Sequence, residues 1–268
     1  MKWARTFAVI FLLAVAGACL LADFLAPAGY AHQFRDIPNA AASRQHWLGT
    51  DDLGRDRLSR VLYGTRVSLL LAPAAALIAS LLAALIGGAA GFVGGWLERI
   101  VMAATDLFLS LPWLFLLITV RALMPLNVSP VTSVVITFAL LGCLGWAAAA
   151  RVVCADARSL RHSDFVLLAR ASGSSGFRLL RRHLLPNLMP ALYAQFWISI
   201  PVFILAEANL GILGLGVSEP LPSWGSLLRE LESYSAISSS PVQFVPLLLF
   251  IAVVSCFHLV VPDRELPA

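Results

Sequence analysis

Six stretches of about 20 or more mostly apolar residues constrain this chain more than anything else in it: 6–26, 67–95, 100–121, 131–151, 189–213 and 242–261. A helix rises about 1.5 Å per residue, so ~20 apolar residues match the hydrocarbon core of a bilayer. Backbone polar groups in lipid must be satisfied within the segment, which makes each stretch an expected helix. Of the 268 residues, 59% are hydrophobic and 13% charged, against a usual charged share of roughly 25%. Mean hydropathy is +0.84. A water-soluble fold of this length has no interior large enough for that much apolar side chain. The expected class is an all-α membrane protein with six transmembrane helices. Its parts are an N-terminal helix over 1–27, an extracytoplasmic segment over 28–66, a core over 67–261 containing a loop at 151–187, and a short tail over 262–268.

The N-terminus has the outline of a signal peptide, and Ala16-Gly17-Ala18-Cys19 faintly resembles a lipoprotein cleavage site. The apolar character runs on to about Leu25, broken only by Asp23, which favours an uncleaved first span. In the second span Gly87, Gly91 and Gly95 recur every four residues, a small-residue face that lets another helix approach closely. Pro73, Pro112 and Pro201 predict kinks. The net charge of +4 is carried by arginine, since Lys2 is the one lysine. Because the arginines lie between apolar spans, topology explains them better than nucleic-acid binding. Seven of them (Arg151, Arg158, Arg161, Arg170, Arg178, Arg181 and Arg182) crowd the loop between the fourth and fifth spans. That bias puts the loop and both termini in the cytoplasm, and Arg121, Arg229 and six arginines between Arg35 and Arg66 outside. The four cysteines and five histidines show no metal-ligand spacing and read as packing or surface residues. No catalytic, cofactor or metal site is expected.

Two connectors on the outer side are too organised to be idle. In Gly49-Thr50-Asp51-Asp52-Leu53-Gly54-Arg55-Asp56, the acids Asp51, Asp52 and Asp56 can pair with Arg55, Arg57 and Arg60, or cap a short helix starting near Thr50. Gly214–Ser240 contains Pro220-Leu-Pro-Ser-Trp-Gly225, a proline-shaped turn with Trp224 expected at the membrane interface. The basic loop reads as helix, break, helix. Ser163 or Asp164 caps Phe165–Ala171, Gly173 stops it, Ser174 or Ser175 caps Phe177–Leu185, and Pro186 ends it. Phe177, Leu180, Leu184 and Leu185 recur at helical spacing opposite Arg178 and Arg182. The spacing leaves two uses open, docking on a partner protein or lying on anionic lipid.

The stretch Asp164–Asn187 resembles the coupling loop of ABC-importer permeases. His46–Asp56 with Leu58-Ser-Arg60 and Tyr63–Leu69, together with Leu205–Val217 and Pro222-Ser-Trp-Gly225, is similar to the C-type permeases of dipeptide, oligopeptide and nickel importers. Gly94–Arg99 and Asp106 extend the likeness over nearly the whole chain from His46 to about Val261. The resemblance implies a type I importer permease fold whose coupling helix docks on a cytoplasmic ATPase through Leu167, Leu168, Ala169, Arg170, Ala171, Ser172, Gly173 and Ser174. It further implies two ATP-binding subunits, a B-type permease partner, an extracytoplasmic solute-binding protein and a place in the cell inner membrane. The chain departs from the family where Glu-Ala-Ala is usual and Leu167-Leu168-Ala169 stands instead. With no Walker lysine motif, hydrolysis is expected in a separate subunit. Glu207 and Asp106 are intramembrane acids that should face the bundle interior or a cavity. Glu207 reads as a translocation-path residue or a structural cap, the latter favoured because the family carries an acid there whatever its solute. An ion-coupled secondary transporter using Glu207 or Asp106 is the alternative function, but the internal repeat it should carry is not evident. An intramembrane enzyme has only Ser174 and His183 to offer.

Overall fold

The structure, a computed structural model, describes residues 2–125, 128–232 and 241–260; the tail at 262–268 lies outside them. Among the described residues the chain is helical, and strand-like pairing is limited to the isolated bridges Gln33–Arg55 and Thr50–Asp56. The helices are α1 (Lys2–Leu20), α2 (Ala22–Leu25), α3 (Arg57–Ala83), α4 (Ala89–Val93), α5 (Gly95–Ser110), α6 (Trp113–Leu123), α7 (Pro130–Leu144), α8 (Trp146–Arg161), α9 (Asp164–Ala171), α10 (Gly176–Leu179), α11 (Leu185–Ile212), α12 (Trp224–Arg229) and α13 (Val245–Val260). Wider π turns at Ala84–Gly88 and Leu180–Leu184 join α3 to α4 and α10 to α11.

Five continuous segments are long and apolar enough to cross a membrane: Trp3–Leu20, Arg57–Val93, Pro130–Arg161, Leu180–Ile212 and Pro241–Val260. The sixth expected span is α5 plus α6, bent by 80° between them. Pro112 stands in that break with Leu111 extended before it (ψ 132°), as the residue preceding a proline prefers. The expected kink is therefore a corner. Pro73 lies inside the continuous α3. Pro186 does not end its helix as expected; α11 runs straight through it. The π turn immediately before Pro186 already departs from i→i−4 bonding, so the missing N–H interrupts little. Helix also continues beyond Arg151, where a loop was expected to begin, to Arg161.

The chain divides into two compact units. The first contains 1–72, 120–138 and 200–268, and the second 73–119 and 139–199. In the first unit α1 packs along α13, and α13 also contacts α12. In the second, α8 is packed by α4, α5 and the first π turn. Its buried face is made of small residues, Ala147, Ala149, Ala150, Val153, Cys154 and Ala157. A Cβ on Gly87 would run into the carbonyl of Ala150, and one on Gly91 would lie 2.8 Å from the Cβ of Ala157. Gly87 and Gly91 thus form the close-packing face expected of them. Gly95 does not belong to it: it has φ +67° with nothing near its Cβ position, and it starts α5 beyond the Gly94 turn.

Candidate functional site

In the first unit, the segment before α3 is folded by its own polar groups. Gly49 and Gly54 take φ of +72° and +73°, where a Cβ would strike the Ala40 and Phe34 carbonyls. Asp51 sits between them. Its Oδ1 accepts from the backbone N–H of Leu53 (3.0 Å) and Arg55 (2.7 Å), and its Oδ2 accepts from Arg55 Nε at 2.6 Å. Asp56 caps α3 through the Ser59 N–H (2.8 Å) and accepts from His46 Nδ1 (3.0 Å) if that nitrogen carries the proton. The helix therefore starts at Arg57, not near Thr50, because Asp51 is spent on the loop and Asp56 is the residue left to cap. Thr50 is buried and bridges Ile37 and Ala40 through its hydroxyl.

This local turn grows into an ionic knot. Arg60 is fully buried and reaches Asp51 (3.6 Å), Glu219 (3.2 Å) and Glu230 (2.8 Å), while Arg55 reaches Glu219 at 2.6 Å. Burial would raise the Glu219 carboxyl, but Arg60 and Arg55 outweigh it and hold it below the usual range. Burial wins at Glu230 and pushes its carboxyl up in spite of Arg60. Sequence reading found Asp51, Arg55 and Asp56 but missed Glu219 and Glu230. They lie 159 and 170 positions from Arg60, so no local spacing announces them.

Glu207 is fully buried beside that knot's scaffold. Its Oε2 accepts from Ser68 Oγ at 3.2 Å, and Ser68 Oγ in turn accepts from the Trp224 N–H at 3.3 Å. A Cβ on Gly225 would come within 3.0 Å of Glu207 Oε1. Trp224 is not interfacial as expected: it is fully buried, donates its indole N–H to Thr65 (2.9 Å), and packs edge-on to Phe250. A buried indole needs a hydrogen-bond acceptor, and Thr65 supplies it. Arg121, expected as a charge of the outer side, is also fully buried. It donates to Ser133 Oγ (3.0 Å) and the Gly216 carbonyl (3.4 Å), and its Nε and Nη1 have no hydrogen-bond partner among the described residues.

In the second unit, the basic loop is rooted on a core of Ala83, Ala149, Ala150, Val153, Ala157, Leu184, Leu188 and Leu192. Within α9, Val166 is buried whereas Leu167 and Leu168 are 48% and 70% exposed. Arg170 lies over the Phe92 ring, 5.9 Å from its centre. Ala171, Ser172 and Gly173 are exposed at the tip, and Gly173 has φ +77° as the break requires. Ser163 is at the cap position, but its hydroxyl donates back to Leu160 instead of capping α9. Leu184 and Leu179 are buried, while Leu185, expected on the same apolar face, is 44% exposed. The π turn rotates the positions after it out of register. Asp106 is not enclosed as expected: its side chain is 51% exposed and pairs with Arg151 at 2.9 Å. On the neighbouring turns Glu98 pairs with Arg158, and Arg161 donates to the Val93 carbonyl at 2.9 Å.

Residues 80–262 match the family of binding-protein-dependent transport system inner membrane components. The chain is 35% identical over 227 residues to the dipeptide transport system permease protein of Bacillus subtilis, covering 85% of this chain and 68% of that one. It is 32% identical over 247 residues to the glutathione transport system permease protein of Pectobacterium atrosepticum (92% and 80% covered). It is 35% identical over 263 residues to the nickel transport system permease protein of Escherichia coli (97% and 91% covered). The match takes in the broken apolar helices from α4 onward and the exposed loop between α8 and α11, and the chain belongs to the inner-membrane permease family of binding-protein-dependent ABC importers.

Proposed function

We propose that this permease forms half of a heterodimeric pathway for small peptides or related solutes, with two cytoplasmic ATPases docked through the tip of the basic loop. The observation that carries the docking role is the division of labour within α9, α10 and the π turn that follows them. Val166, Leu179 and Leu184 are buried, while Leu167, Leu168, Ala171, Ser172 and Gly173 are left exposed around a left-handed glycine. A surface of that kind is held rigid from behind and open in front. The peptide class is supported by relatives named for dipeptide and glutathione transport; the nickel relative keeps a metal-bearing solute as the narrower second choice. With the basic loop in the cytoplasm, both termini are cytoplasmic, and the ionic knot faces the solute-binding protein. ATP-driven closure of the ATPases moves the loop because the ATPase binds one conformation of the permease better than the other. Glu207 serves structure in this reading, tying α3, α11 and α12 through Ser68 and Trp224.

The test is co-purification of the permease with its ATPases, comparing wild type with Ala171→Arg. The charge is expected to abolish ATPase association and ATP-dependent uptake while the permease remains folded. Unchanged association and uptake would remove the docking role.

A further inference from the structure

The knot borders an open cavity of about 430 Å³ within the first unit. Gly211, Gly214 and Gly216 line it. A Cβ on Gly214 would lie 3.1 Å from Arg229 Nη1, so the guanidinium occupies the room that glycine leaves. Gly211 crosses Gly225 too closely for any Cβ, which fixes that wall to α12. Arg121 and Ser133 hold the Gly216 carbonyl, and Ser133 Oγ accepts from the Ser218 N–H at 3.2 Å. The start of α12 is closed by reciprocal Ser223–Ser226 capping.

The charges around this cavity fall into two sets. Asp51, Arg55, Glu219 and Glu230 line it but are already engaged in the knot. Arg229 and Asp52 line it too, and neither makes a side-chain hydrogen bond or ion pair among the described residues. Arg57 spends its Nε on the Thr50 carbonyl at 2.9 Å. What is left over is two guanidinium groups and one carboxylate on a rigid frame, in a space of the size that small-molecule sites occupy (roughly 300–1,000 Å³). A guanidinium fork recognises a carboxylate in two-point fashion, and a lone acid in the same cavity suits an ammonium group.

We propose that this cavity is a receiving site for a small zwitterionic solute, with Arg229 and Arg57 holding its carboxylate and Asp52 supplying the counter-charge for its ammonium. It rests on the importer reading and adds that the permease itself holds solute released from the binding protein. A free dipeptide is the size of occupant the volume admits.

The test uses the complete complex of both permeases and ATPases in lipid nanodiscs, without binding protein, titrated with radiolabelled alanyl-alanine. Saturable binding is expected, with alanyl-alanine amide and N-acetyl-alanyl-alanine competing on the order of tenfold less well. Arg229→Gln is expected to weaken binding by a similar factor, and Arg229→Lys by less. Absence of saturable binding, equal competition by the amide, or binding indifferent to Arg229→Gln would overturn the site. If Arg229→Gln instead weakens capture of the binding protein and leaves alanyl-alanine binding intact, the carboxylate belongs to that protein and the site is equally overturned. Binding-protein-dependent, ATP-driven uptake in proteoliposomes is read in parallel. Its survival when alanyl-alanine binding is absent leaves the importer reading standing and sinks only the receiving site.

Discussion

Arginine does opposite things in the two units. In the first, Arg55 and Arg60 are buried and wrapped by Asp51, Glu219 and Glu230. In the second, Arg170, Arg178, Arg181 and Arg182 are exposed along the loop, and none of them is in an ion pair among the described residues. A buried guanidinium is costly to desolvate, and one compensated by several acids, as Arg60 is, makes its surroundings depend on it. An exposed one costs almost nothing and leaves its surface available. The knot is therefore a fixed frame, and the loop an exposed basic surface. Charge counts along the sequence could not separate them, since both regions are rich in arginine.

The sharpest way to break this contrast is to remove one arginine from each region. Arg60→Met leaves the buried Asp51 and the partly buried Glu230 with less compensation and is expected to cost about 3–5 kcal/mol, the range for breaking a buried pair. Thermal unfolding in detergent reads it as a large drop in Tm. Arg182→Gln is expected to stay within about 0.5 kcal/mol, as surface substitutions do. Equal losses would mean that the loop is as structural as the knot.

Small residues give a second, smaller test. Gly87→Ala places a methyl against the Ala150 carbonyl at a helix crossing with no slack. Overpacking of this kind costs about 1–3 kcal/mol, and the same Tm assay should show it. Gly173→Ala meets no neighbour but must hold φ +77°, which costs about 1 kcal/mol. Its expected signature is different: little change in Tm, but weaker ATPase capture, because the tip loses its turn. If Gly173→Ala lowers Tm as far as Gly87→Ala does, the tip is part of the packed frame after all.

The same contrast explains what could be read in advance. The spans were legible because about 20 apolar residues in a row admit one solution, and Gly87 and Gly91 were legible because small residues at helical spacing mean close approach. The Gly173 break was a local signal as well. Trp224 was misplaced, and the burial of Arg121 was not legible, because their surroundings come from distant segments: Thr65 and Phe250 for one, Ser133 and Gly216 for the other. Pro186 misled for a related reason. A proline stops a regular helix, but the π turn before it removed the bond that the proline would have broken. Leu167 was noted as a departure from the usual acid, and its exposed side chain contributes no charge to the tip. Leu167→Glu is accordingly expected to raise ATP-dependent uptake modestly at unchanged Tm.

The smallest expected effect lies inside the knot, where two acids respond to pH with opposite sign. The Glu219 carboxyl is lowered in the folded chain, since Arg60 and Arg55 outweigh its burial. Its stabilising contribution is present above the usual carboxylate range and is lost as pH falls through the lowered value. Glu230 is raised by burial, so folding favours its neutral form. Its contribution is present below the usual range and is lost as pH rises through the raised value. Acidification from neutral should narrow the Tm gap between wild type and Glu219→Gln, and move wild type upward relative to Glu230→Gln. The Glu219 side chain is 53% exposed, so solvent screening keeps its part to about 1 kcal/mol or less. Parallel slopes for the two variants would show that the knot titrates as one unit, with Arg60 sharing its charge evenly between the two acids.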